Sequence, residues 1–99
     1  MTGTLPVVFS DRSRDRLRAI QGHIAFHNIR AAERVMACIL AAAEMLGDHP
    51  ELGMLWQNGP TRALSVPGLP YRIHYRVVRN QRIEVITVAH NRQLPPKAL

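Results

Sequence analysis

The hydrophobic pattern changes its period near the middle of the chain. Up to Leu46 the apolar residues recur every three or four positions, and from Thr61 to Ala89 they alternate or run together. A period of 3.6 fits a helix and a period of two a strand, so a helical first half must cover a sheet formed by the second. That segregation gives an α+β domain. Ninety-nine residues make it a single one, residues 1–99.

The elements follow from local chemistry. Leu5 to Phe9 is β-prone and holds Pro6, which suits an edge strand. Ser10 or Asp11 caps a helix whose apolar stripe is Leu17, Ile20 and Ile24. Arg14, Arg18 and Gln21 occupy its other face, with Asp11–Arg14 and Asp15–Arg18 as opposite-charged i,i+3 pairs. Asn28 breaks the chain and caps a second helix, striped by Ala32, Val35, Met36, Ile39, Leu40, Ala43 and Leu46. Gly47 followed by Asp48-His49-Pro50 is a stop signal. The short link makes the two helices an antiparallel hairpin. Strands are expected over Thr61–Val66, Tyr71–Val78 and Ile83–Ala89, with turns at Pro67-Gly68-Leu69-Pro70 and Arg79-Asn80-Gln81-Arg82. The expected fold is an N-terminal strand and an antiparallel α-hairpin packed on one face of a small, mostly antiparallel twisted sheet, in the order β-α-α-β-β-β. Strict alternation in the second strand turns Tyr71, Ile73, Tyr75 and Val77 one way and Arg72, His74 and Arg76 the other, so the uncovered face displays arginines. Met54, Leu55 and Trp56 fall in a loop, either as an exposed partner-binding patch or as a lid over the end of the hairpin.

Charge is distributed unevenly. Residues 1–53 carry six arginines against six acids, while residues 54–99 carry seven basic side chains against Glu84 alone, which accounts for the net +6. A one-signed field steers nucleic acid or an acidic protein, and arginine's planar fork suits phosphate and carboxylate. Cys38, the single cysteine, cannot form an internal disulfide and is expected as a small buried hydrophobe. The start shows no signal peptide, and Val35–Leu46, the longest apolar stretch, is interrupted by Glu44 and too short for a bilayer. The expected location is cytoplasmic. His23 and His27 stand i,i+4 without a third ligand, and His27 is expected partly buried at the helix end. No metal site and no cofactor are expected, since there is no glycine-rich phosphate loop, Ser-His-Asp pattern or cysteine pair.

Four segments together resemble the RelE/ParE superfamily of bacterial toxins, its ParE branch in particular. They are Phe9-Ser10-Asp11 before the first helix, Asn28-Ile29-Arg30-Ala31-Ala32, His49-Pro50-Glu51-Leu52-Gly53, and the strand set. The strand set comprises Thr61-Arg62-Ala63-Leu64, Pro70 to Val77, and Ile83 to Arg92. The resemblance runs from about Val7 to Pro95 and departs from the usual pattern at Met54, where a basic residue is common, and at Leu94, where an aromatic is. It implies a toxin of a type II toxin–antitoxin pair, neutralised by a small ParD-like antitoxin in a hetero-oligomer that binds operator DNA through the antitoxin. ParE-branch members are associated with poisoning DNA gyrase, RelE-branch members with messenger-RNA cleavage on the ribosome.

RNA cleavage by 2′-OH attack needs a base, a phosphate-binding cation and an acid. The candidates are Arg62, Arg76, Arg82, His90 and Arg92. The resemblance implies that a RelE-branch nuclease would also use lysines in the middle of the chain or an aromatic near the C-terminus; Lys97 is the only lysine and no aromatic follows Tyr75, so that machinery is incomplete and a binding toxin is favoured over an endoribonuclease. Target binding is assigned to Arg62, Arg72, Arg76, Arg82, His90 and Arg92. For Arg62 the structural alternative is a salt bridge to Glu51 or Glu84. A ribosome-dependent interferase, and a non-toxic module that still grips its antitoxin, remain as alternatives.

Overall fold

The computed structural model describes residues 4–91. Its elements run β1 (Val7–Phe9), α1 (Asp11–Ala25), α2 (Ile29–Asp48), β2 (Met54–Leu55), β3 (Arg62–Ser65), β4 (Tyr71–Val78) and β5 (Arg82–His90). The strands form one sheet in the order β1-β5-β4-β3-β2. β1 pairs with β5 in parallel, and every other pairing is antiparallel. The α-hairpin covers one face, and the core joins Ile20, Ile39, Ala43 and Leu46 to Ile73, Tyr75, Ile83, Val85 and Val88. Among the described residues no helix is long and apolar enough to cross a membrane.

Both helix starts form as the sequence dictates. Ser10 is extended and its hydroxyl accepts from the Ser13 N–H; Asn28 does the same for Ala31. Asp15 and Arg18 pair at 3.0 Å. α2 ends at Asp48 with His49 as its cap, inside the expected stop, and Gly47 is its last residue but one. The role of Gly47 is close approach. The Leu5 N–H donates to the Gly47 carbonyl at 3.0 Å, and a Cβ on Gly47 would overlap the Leu5 carbonyl. Cys38 is exposed, which corrects the expectation of burial; it sits one place before the buried Ile39, outside the inward stripe. His27 is likewise exposed, lying beyond the last turn of α1.

Two features of the sheet escape alternation arithmetic. The first is a fifth strand: Met54 and Leu55 pair with Ala63 and Arg62 to form a two-residue edge strand where a loop was expected. The second is an irregularity between β4 and β5. Tyr75 stands opposite Val85 but His74 opposite Thr87, so Ile86 is an extra residue on β5. A β-bulge of this kind rotates the following residues by one place relative to the faces. Val85 and Val88, three apart, are therefore both fully buried in the core.

Ser10 stabilises this irregularity from outside the sheet. Its hydroxyl donates to the Ile86 carbonyl at 2.9 Å while accepting from Ser13. One oxygen thus caps α1 and satisfies the bulge. Ser10→Ala should destabilise the protein by about 1–2 kcal/mol, the upper range for loss of an N-cap, measured as a shift in the urea midpoint.

A divided cationic surface

The residues assigned to target binding do not share one surface. Register settles which side each occupies, because directly paired residues point the same way. Arg62 pairs with the core residue Tyr75, and His90 pairs with Tyr71, so both lie on the helix side. Arg72, Arg76 and Arg82 lie on the other side, Arg76 opposite Glu84 and Arg72 opposite Ala89. Unbroken alternation would have put His90 beside Glu84; the bulge at Ile86 moves it across. Arg92 lies outside the described residues.

Arg62 belongs to a clamp. Its Nη1 donates to the Gly53 carbonyl at 2.8 Å, and not to Glu51 or Glu84 as its structural alternative had it. The Gly53 N–H donates to the Tyr75 hydroxyl at 2.8 Å, and that hydroxyl donates to the Pro50 carbonyl at 2.8 Å. A Cβ on Gly53 would run into the Tyr75 ring, so only glycine lets the loop close over it. Burial pushes the Tyr75 phenol up, and the neutral hydroxyl remains a donor throughout the neutral range.

Arg72 is buried, which corrects its assignment as a displayed cation. Its Nε donates to His74 Nε2 at 2.9 Å, its Nη1 reaches the His90 carbonyl at 3.2 Å, and its guanidinium lies 5.1 Å from the Trp56 ring centre. Trp56 meets the His74 ring edge to face at 5.0 Å. Trp56 is therefore a lid, but on the uncovered side of the sheet and not on the hairpin. His74 is pushed down to about 4, first by burial and then by the charges of Arg72 and Arg12. It stays neutral at neutral pH and accepts the hydrogen bond that the Arg72 Nε–H donates. The Trp56 indole nitrogen is buried without a partner.

Arg76 and Arg82 remain on the surface and converge on one carboxylate. Arg76 Nε stands 2.7 Å and Arg82 Nη2 2.8 Å from Glu84. The Arg76 hydrogen bond first, and the Arg82 one next, hold Glu84 below the usual carboxylate range. Beside this ion triad lies a hollow of about 430 Å3 lined by Val8, Ser10, Pro60, Thr61, Arg76, Glu84, Val85 and Ile86. At the sheet edge Met54 is 78% and Leu55 61% exposed, while Trp56 is turned inward.

Of the residues proposed for RNA cleavage, the described Arg62, Arg76 and His90 are not brought together. Arg62 and His90 are held four positions apart along β4, roughly 13 Å at the rise of a strand. Arg76 is on the opposite face. His23 and His27, with ring centres 6.1 Å apart, are joined by no third ligand; no group of three or more His, Cys, Asp or Glu among the described residues is placed to hold a metal ion. His74 and Tyr75 were not singled out by sequence. The only signal was that both sit in the alternating strand beside Arg72.

A five-stranded mixed sheet backed on one face by an α-hairpin defines a small α+β domain. Residues 7–95 match the family described as the ParE toxin of type II toxin–antitoxin systems. The chain is 35% identical over 88 residues to a Sinorhizobium fredii protein named "Putative toxin Y4kP", covering 89% of this chain and 90% of that one. Its fold is similar to that of a chain from the chromosomal ParDE toxin–antitoxin system of P. aeruginosa, with a TM-score of 0.77, 16% identity, and coverage of 88% and 96% of the two chains. It is also similar to a chain from the RelBE2 toxin–antitoxin complex of Mycobacterium tuberculosis, with a TM-score of 0.67, 18% identity, and coverage of 91% and 94%. The protein belongs to the ParE toxin family of type II toxin–antitoxin systems.

Proposed function

We propose that this toxin acts by binding, with DNA gyrase as its target, and that a ParD-like antitoxin neutralises it. The observation that carries this reading is the dispersal of the would-be nuclease residues. A general base, a phosphate cation and an acid must converge within hydrogen-bond reach of one substrate, and Arg62, Arg76 and His90 lie on different faces or about four residues apart. What the sheet offers instead is a recognition surface: the Arg76–Glu84–Arg82 triad beside an apolar hollow. Charged groups fixed around apolar ground give specificity and register in protein contacts. The exposed Met54–Leu55 edge is the antitoxin's site in this reading. It presents unpaired strand backbone together with apolar side chains, the combination that an added segment covers. The antitoxin is acidic, to complement a net charge of +6.

Inducible expression in bacteria tests the reading. Expression alone should arrest growth with filamentation, the sign of DNA damage, and co-expression of the neighbouring antitoxin frame should restore growth. Arrest without filamentation, with codon-linked cuts in translated messages by primer extension, would replace the binding toxin with an interferase. Harmless expression of folded protein would leave a module that only grips its antitoxin.

A further inference from the structure

A second concavity lies away from the Arg76–Glu84–Arg82 triad, between α1 and the paired ends of β4 and β5. It holds about 310 Å3 and is lined by Arg16, Ala19, Ile20, His23, Tyr71 and His90. Arg16, Ile20 and His23 recur at helical spacing and so line one side of α1. Tyr71 and His90 face them from the sheet, their rings meeting edge to face at 5.4 Å.

Its chemistry is one-sided. None of the lining residues among those described is a carboxylate. Arg16 is held by its Nε, which donates to the Val88 carbonyl at 3.2 Å. That bond fixes the plane of the guanidinium and leaves the two terminal nitrogens to face a ligand. Among the described residues Arg16 forms no ion pair. A guanidinium held in place with its fork unspent is the arrangement that takes a phosphate by two parallel hydrogen bonds. Tyr71 supplies an aromatic wall and Ile20 and Ala19 an apolar floor, against which a planar base can lie.

We infer that this cleft binds a 5′-nucleotide, its phosphate on Arg16 with His23 beside it and its base against Tyr71. The volume lies at the small end of the range of about 300–1,000 Å3 for small-molecule sites, which suits a mononucleotide and excludes a dinucleotide. A bare phosphate leaves the aromatic wall unused, and a nucleoside leaves Arg16 unused. The site does not depend on gyrase being the target, because it shares no residue with the triad or with the Met54–Leu55 edge.

The test is calorimetric titration of the purified protein with 5′-AMP, adenosine and inorganic phosphate separately. 5′-AMP should bind saturably in the submillimolar range, and adenosine and phosphate at least about ten-fold more weakly each, as loss of a charge-assisted contact or of the stacking surface implies. Arg16→Ala should weaken 5′-AMP by at least about ten-fold. Because Arg16 also bonds Val88, Ala19→Glu serves as the second variant. It puts a helix-favouring carboxylate on the exposed cleft floor, should leave thermal unfolding unchanged, and should abolish binding. No saturable binding of 5′-AMP up to about 10 mM would overturn the inference. So would adenosine binding as tightly as 5′-AMP, or 5′-AMP binding undiminished in folded Ala19→Glu.

Discussion

Tyr75→Ala should leave the protein largely unfolded at room temperature. Tyr75 is fully buried at the centre of the sheet, and removal of a large core aromatic costs about 3–5 kcal/mol through lost burial and the cavity left behind. Its hydroxyl adds a second loss. It satisfies the Gly53 N–H and the Pro50 carbonyl together, and each buried group left without a partner costs about 1–3 kcal/mol. A domain of this size has roughly 5–15 kcal/mol in hand, so the sum approaches the whole. Tyr75→Phe separates the two effects. It keeps the ring and removes only the bonds to the loop, so it should cost about 2 kcal/mol in urea unfolding. It should also loosen the 50–53 segment, visible as faster amide exchange at Gly53. If Tyr75→Phe unfolds within about 0.5 kcal/mol of the parent, the clamp does not hold the loop.

Mild acid should destabilise the fold through His74. His74 has an unfolded value of 6.5 and a folded value of about 4, because burial and two arginines disfavour its cation. In the window between those values the unfolded chain binds the proton and the folded one does not, so stability falls as pH falls. The contribution is fully present above 6.5 and is gone below about 4; linkage puts about 3 kcal/mol between these limits. The structural reason is direct: a protonated His74 has no lone pair for the Arg72 Nε and sets two cations face to face. His74→Gln keeps an acceptor and cannot titrate, so its stability should change less than the parent's between pH 7 and 4. Glu84, held below its ordinary 4.5 by Arg76 and Arg82, begins to lose its contribution only as pH falls below 4.5, so the range from 6.5 to 4.5 isolates His74. Parallel pH profiles for parent and variant would remove His74 as the cause.

The helices were legible because their signals are local. Ser10 and Asn28 cap within three residues, and the stripes of α1 and α2 need only one turn of context. Strand positions were legible for the same reason, Tyr71–Val78 to the residue. What sequence did not contain was long-range geometry. Ile86 looks like any other residue of a β-prone run, and its bulge exists only because Tyr75 and His74 pair with Val85 and Thr87. That single residue decides which face His90 occupies. Arg72 read as a surface cation because alternation gives direction and not cover; the cover is Trp56, brought back by the β2–β3 hairpin. The stop at Gly47 to Pro50 was legible because glycine and proline end helices locally, but the approach of the Leu5 backbone to Gly47 was not. The candidate site was therefore legible as a set of residue types, and its division between two faces was not.

A toxin that acts on gyrase, as proposed, through the surface around Arg76, Glu84 and Arg82 should disturb the enzyme directly. The most direct measurement is gyrase supercoiling of relaxed plasmid with increasing toxin, with and without the cognate antitoxin. Supercoiling should be lost with accumulation of cleaved plasmid, and the antitoxin should relieve both. Normal supercoiling at a large excess of folded toxin, which still arrests growth when expressed, would contradict gyrase as the target.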